Sequence, residues 1–305
     1  MRSGERGVAI VMAMGVVSLA AIVATAILAS QSAWARRAEL SAQHAQALEL
    51  LLAGGDWARA VLSDDRRANN VDHPGEPWAM RLPAMPVENG ELVGRIEDQQ
   101  GLFNLNNVVT DGKLNPVQFA RFQRLLSLLR LPAPLADALA DWIDGDDKPQ
   151  PGHGAEDEYY LSLDPPYRPA NRPLIDVDEL ALVRGFDPGV RARLAPFVAA
   201  LPGTTPVNVN TAPAEVLATV VEGLELDSAR LIVARRNVSY YRSNADFLAQ
   251  LPKGLIVPEQ DIRVASDFFL AMLRVTSGGA QVQGKALLAR LEPGRWPSIV
   301  WRKIQ

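Results

Sequence analysis

The chain has 305 residues, a formal net charge of -4 and a pI near 5.5, so its overall balance gives no pull toward nucleic acid or anionic lipid. Its 48% hydrophobic and 22% charged residues belong to a folded protein, not a disordered one. Cysteine is absent and there are three histidines (His44, His73, His153), which excludes disulfides, thiolate metal sites and a Cys nucleophile and leaves little for a His-built site.

Residues 7–35 carry no charge, and the apolar run from Val8 to Ala29 is long enough for a membrane helix, which needs about 20 residues. Three readings of this segment compete. Ala33-Trp34-Ala35 resembles the cleavage site of a secretory signal, although the apolar run is longer than such signals use. A plain anchor is the second, left unoriented because Arg2 and Arg6 balance Arg36 and Arg37. The third is a prepilin-type leader, residues 1–7, whose short charged stretch ends in Gly7 and is cut before Val8 while the apolar helix of residues 8–30 stays. Helical periodicity continues through Leu40, Ala47, Leu48, Leu51, Ala58 and Leu62, so one long helix is expected from about Val8 to Arg67. Gly54 and Gly55 interrupt it, each at about 1 kcal/mol against Ala.

Glu91–Glu97 alternates as a half-buried strand does. Three further strand candidates lie at the far end: Phe268–Ser277, then Gln281–Leu291 after the turn at Gly278-Gly279, then Ser298–Ile304 after Glu292-Pro293-Gly294. An isolated hairpin is marginal, so these segments are expected to share one sheet, with the long helix covering its apolar face. The stretch between them is then an insertion. It reads as helices over Pro116–Leu131, Pro134–Ile143, Val177–Val183, Val190–Leu201, Ala212–Val221 and Ser228–Arg236, separated by loops rich in Pro and Gly.

The insertion repeats a motif. Gly101-Leu102-Phe103-Asn104-Leu105-Asn106 precedes the first helical pair, and Pro206-Val207-Asn208-Val209-Asn210-Thr211 precedes a later one. Each Asn-x-Asn suits a helix cap or turn. The later copy resembles the opening of helix-hairpin-helix modules, which often bind the DNA backbone. Here the hairpin Glu222–Asp227 carries three acids, which repel phosphate, and Arg230, Arg235, Arg236 and Arg242 read as a solvated or interface face.

The sharpest chemical feature runs from Asp141 to Tyr160, with seven carboxylates in 20 residues. Their repulsion favours a counter-cation, and Ca²⁺ takes six to eight hard oxygen ligands from irregular loops. An EF-hand does not fit, because counting from Asp144 puts Pro149 at the central Gly position and Ala155 at the closing Glu position. A solvated acidic loop and a carboxylate-based active site are the alternatives.

Together these pieces resemble protein K of the type II secretion system, a family of minor pseudopilins. The resemblance rests on Arg6-Gly7 followed by Val8-Ala9-Ile10-Val11-Met12, on Gly101–Asn106, on Asp141–Asp146 with Gly154–Tyr160, and on Val207–Ala212. It implies an α+β pseudopilin fold, a long N-terminal helix on an antiparallel sheet, with a large all-α domain inserted between strands. The segments would be a leader (1–7), a membrane helix (8–30), the first part of the pseudopilin core (31–103), the helical insertion (104–260) and the C-terminal strands (261–305).

The same resemblance implies a structural, non-enzymatic role at the tip of the pseudopilus, in the inner membrane and periplasm. Minor pseudopilins I and J are the implied partners, with other pseudopilins and inner-membrane assembly proteins as further contacts and no nucleic acid. The prepilin peptidase would cut between Gly7 and Val8 and methylate Val8. Ca²⁺ would be held by Asp144, Asp146, Glu156 and Asp157, with Asp141 a further candidate. Most pilins carry Glu at the fifth mature position, where it neutralises a neighbour's N-terminus. Met12 stands there in this chain, which suits a subunit with nothing above it. The rival readings are a membrane-anchored periplasmic enzyme using the loop of residues 141–158 and a helix-hairpin-helix DNA-binding protein.

Overall fold

The computed structural model describes residues 4–87, 90–292 and 294–305. The start of the proposed leader, residues 1–3, and Pro293 of the last turn lie outside the described residues, as do the side-chain surroundings of residues 4–9 and Leu82. One helix, α1, runs from Gly4 to Ala68, roughly 100 Å at 1.5 Å per residue. From Ile10 on, its first half has no protein partner among the described residues: Ile10, Met12, Val16, Leu19, Ile22 and Leu28 are all exposed. Its second half buries Ala47, Leu51, Ala58 and Leu62 at helical spacing.

That stripe lies on a five-stranded antiparallel meander: β1 (Leu82–Val87), β2 (Gly90–Asp98), β3 (Phe268–Ser277), β4 (Ala280–Ala289) and β5 (Ser298–Ile304), in that spatial order. The helix continues through Gly54 because the sheet needs a small residue there. A Cβ at Gly54 would sit 3.3 Å from Leu273 and 3.4 Å from Leu92. Two clusters form under α1, one of Ala47 and Leu51 with Leu92, Val275 and Val282, the other of Ala58 and Leu62 with Trp78, Ile96 and Phe269. Strand β1 has no counterpart in the sequence reading. Pro83 and Pro86 argue against a strand, but at a sheet edge a missing N–H is harmless, and β1 is an edge strand with a bulge between Leu82 and Met85.

Strands β2 and β3 pair directly, from Gly90 opposite Ser277 to Asp98 opposite Phe269. Residues 99–267 are therefore an insertion at one end of a hairpin. They hold α2 (Pro116–Leu128), α3 (Leu135–Ile143), the single turn α4 (Asp157–Tyr160), α5 (Pro188–Leu194), α6 (Ala214–Val220), α7 (Leu226–Val238) and α8 (Asn244–Leu248) around their own apolar core. The helix expected to reach Leu131 stops at Leu128, where Arg130 takes a positive φ of 52° and Leu131 N–H closes back on Leu126 before Pro132. The helix expected over Val190–Leu201 ends at Leu194. Pro196 follows, and Val198–Ala199 is extended, pairing in parallel with Phe103–Asn104. A matching bridge joins Val207–Asn208 to Ile262–Arg263. The insertion thus consists of two successive units, each opened by an Asn-x-Asn segment and closed by a parallel partner. It leans on the sheet face opposite α1 through Ala199 and Leu201 against Phe268, Leu287 and Ala289.

Candidate functional site

Helix α3 leads into the acidic loop and sets its geometry. Asp141, on the inward side of α3, is fully buried and turns the loop back on itself: its carboxylate accepts from Gln150 N at 3.0 Å and Ala155 N at 2.6 Å. A side chain at Gly154 would run into that carboxylate and the Gln150 backbone, so the close return requires glycine. Asp144 ends α3 in an extended conformation that starts the turn. The return leg brings in Glu156, just before α4. Trp142, Tyr159, Tyr160 and Tyr167 pack edge to face beside the loop.

The candidate ligands fall into two groups. Asp144 and Glu156 are buried, and Asp144 Oδ1 and both Glu156 carboxylate oxygens have no hydrogen-bond partner among the described residues. Buried carboxylate oxygens without donors are costly. Burial, then the charges of Asp141 and Asp144, pushes Glu156 up to about 8, and burial, then Asp141 and Asp146, pushes Asp144 up to about 6. Asp146 is exposed and accepts from Lys148 N. Asp157 is held by Arg168 at 2.9 Å. Asp141 is committed to the loop backbone.

A second acidic cluster was not legible in the sequence. Asp65, Asp72 and Glu76 bring carboxylate oxygens within 4.8 Å of one another. Its cation is already present in the chain. Arg290 contacts Asp65 at 2.7 Å and Asp72 at 2.6 Å and stacks over Phe269 at 4.6 Å, while Glu76 accepts from Trp78 Nε1, Asn69 and His73 N. This network joins the end of α1 to the end of β4. Beside it, Asp98 accepts from Asn208, Ser266, Thr211 and Gln100 N, and burial pushes it up to about 6.

The Asn-x-Asn motifs are cross-links as much as caps. In each copy the first Asn accepts from the backbone N of the second, at 3.1 Å for Asn104 and 2.9 Å for Asn208. The second Asn then pairs with a distant peptide through both amide atoms, Asn106 with Leu174 and Asn210 with Tyr241. Of the arginines read as a surface face, Arg236 is instead buried and donates to the Val209 and Ala212 carbonyls. Arg230 pairs with Asp227 and Arg235 with Gln250.

The candidate processing residues Gly7 and Val8 lie within the helical backbone of α1. Among the described residues, α1 is the helix long and apolar enough to cross a membrane.

The two insertion units coincide with known sequence families. Residues 101–203 match one family model, and residues 207–263 another, both described as type II secretion system (T2SS), protein K. The chain is 36% identical to the type II secretion system protein K of Pseudomonas aeruginosa, over 97% of this chain and 91% of that one. The chain belongs to the type II secretion system protein K family. A further protein K, from Klebsiella pneumoniae, is 32% identical over 99% of this chain and 97% of its own length. The crystal structure of the GspK-GspI-GspJ complex from enterotoxigenic Escherichia coli contains a chain that superposes with a TM-score of 0.78 at 26% identity, over 88% of this chain and 99% of that one. As a protein K, the chain is a minor pseudopilin, a structural component of the secretion system and not an enzyme. The pseudopilin fold, long helix on an antiparallel sheet, is shared with that structure. The apolar half of α1 fits a single-pass membrane anchor.

Proposed function

We propose that the chain sits at the tip of the pseudopilus with minor pseudopilins I and J and helps initiate pseudopilus assembly for protein export. The observation that carries this reading is the likeness over 88% of the chain to a GspK solved together with GspI and GspJ. Two features support it. The insertion adds bulk to one face of the sheet, which a tightly packed filament would accommodate at its end more easily than in its middle. Met12 stands where pilins that neutralise a subunit above them carry Glu. Co-purification tests it: the chain should elute in one complex with subunits I and J, and elution of an I–J pair with this chain separate would overturn it.

The same reading assigns a life history to α1. The prepilin peptidase cuts between Gly7 and Val8 and methylates Val8. The helix first anchors the protein in the inner membrane, with the bulk of the chain in the periplasm, and later packs against other pseudopilins as inner-membrane assembly proteins draw it into the pseudopilus. The exposed apolar surface from Ile10 to Leu28 supports a segment that is always covered, first by lipid and then by helices. N-terminal sequencing of the protein from peptidase-positive cells should read methylated Val8, and a start at Arg36 would indicate a secretory signal instead.

The acidic loop is assigned to Ca²⁺. The orphaned oxygens of Asp144 and Glu156 support this, since a hard cation is the partner such oxygens want. Asp144, Glu156 and the neighbouring Asp146 would hold the ion. Asp157 would join by leaving Arg168, and Asp141 would keep the loop closed behind them. In a chain without cysteine, the ion would staple a long irregular loop as a disulfide does elsewhere.

A further inference from the structure

The sheet face opposite α1 is only half covered by the insertion. Farther along the strands it remains open as a trough of about 390 Å³. The strand register explains its character. Arg95 lies opposite Met272, Met272 opposite Lys285, and Lys285 opposite Lys303, so one rung across four strands carries three cations. On the next rung of the same face, Val93 lies opposite Arg274 and Arg274 opposite Gln283. Arg81 lines the same trough. Like charges directly opposite each other destabilise a sheet. Lys285 and Lys303 are tolerated because the insertion brings carboxylates to them: Asp178 contacts both at 3.0 Å, and Asp176 contacts Lys303 at 2.8 Å. Arg95 is exposed and paired with Glu97. Arg81 and Arg274 are exposed and have no carboxylate within ion-pair distance among the described residues.

We propose that this trough docks an acidic, extended segment of a partner protein, with its carboxylates on Arg81, Arg274 and Arg95 and its apolar side chains over Met272 and Val93. Three observations select a peptide. The face already takes carboxylates, from Asp176 and Asp178, at the edge of the trough. The cations stand on different strands, with Met272 between Arg95 and Lys285 and Val93 opposite Arg274, where a phosphate would need donors that converge. The chain is acidic overall, so a basic face of this kind opposes its net charge and attracts acidic partners locally. This docking surface requires neither Ca²⁺ nor subunits I and J, so its failure and that of the tip assignment are separate outcomes.

The test uses the full chain in a non-ionic detergent and a fluorescent synthetic peptide of Glu-Glu-Val-Val repeats, which in an extended chain carries both residue types on each face, read by anisotropy. The peptide should bind, weaken as salt rises, and lose at least about tenfold in affinity to the double variant Arg81→Glu, Arg274→Glu. The same peptide with Gln for Glu should bind at least about tenfold more weakly. Arg274→Gln keeps the experiment readable if the double variant lowers the melting temperature, and should give a smaller loss in the same direction. Binding unchanged in these variants, or displacement of the peptide by inorganic phosphate at matched charge, would overturn the proposal.

Discussion

Asn210 and Tyr241 form a closed pair: Asn210 Nδ2 donates to the Tyr241 carbonyl at 2.9 Å, and Tyr241 N–H donates to Asn210 Oδ1 at 2.8 Å. Both groups are buried. Asn210→Ala leaves a backbone donor and acceptor unpaired, each costing about 1–3 kcal/mol, so a loss of roughly 2–6 kcal/mol is expected in urea denaturation. Asn106→Ala should behave alike in the first unit, where Leu174 is the partner. A loss below about 0.5 kcal/mol in both would show that these pairs do not hold the units together.

Arg290 is the sole described cation of a buried cluster with Asp65 and Asp72. Arg290→Met keeps most of the volume but strands two carboxylates, and should cost about 3–5 kcal/mol. Adding Asp72→Asn should recover part of that loss. A double variant no more stable than Arg290→Met would place the damage in packing over Phe269 and not in charge.

The pH dependence has a defined direction. Burial raises Asp98 from 3.8 to about 6, so the folded state holds its proton more tightly than the unfolded one. Its stabilising contribution is complete below pH 3.8 and is lost as pH rises through about 6. Asp65, raised to about 7 by burial, adds to the same decline. Asp98→Asn removes the titration, so its melting temperature relative to the parent should rise between pH 4 and pH 7. A difference that stays constant across that range would contradict the assignment.

Removal of Ca²⁺ should lower the melting temperature, and excess Ca²⁺ should restore it. Glu156→Gln and Asp144→Asn should abolish the response while leaving the metal-free protein at least as stable, because each replaces a buried carboxyl group whose oxygens have no partner among the described residues. An unshifted melting temperature together with metal-free mass spectra would dismiss the ion.

What the residues disclosed in advance depended on the range of the interaction. Phe268–Ser277 and Ser298–Ile304 were readable to the residue, because alternation and the flanking turns are local. Strand β1 was not, because Pro83 and Pro86 signal a break and only the vacant side of an edge makes them acceptable. The Asn-x-Asn echo was visible as a repeat, but its cross-links to Leu174 and Tyr241 depend on residues with no motif of their own. Arg290 and Asp72 are 218 positions apart, and nothing in either local sequence marks the other as a partner. The acidic loop stood out by composition, while the division between buried Asp144 and Glu156 and exposed Asp146 required the fold of Gly154 onto Asp141.

The direct pairing of β2 with β3 has a consequence for how the protein is made. During synthesis and export, β2 emerges with α1 and β1, yet its second neighbour lies beyond residues 99–267. Until then one edge of β2 presents unpaired backbone groups, the kind of edge that recruits foreign strands. Loop-closure entropy grows only slowly with length, so the insertion itself adds little to the final closing cost. The exposed interval is set by the time the two Asn-linked units need to appear and fold, after which the newly arriving β3 pairs with β2, and β4 and β5 add in turn to complete the sheet.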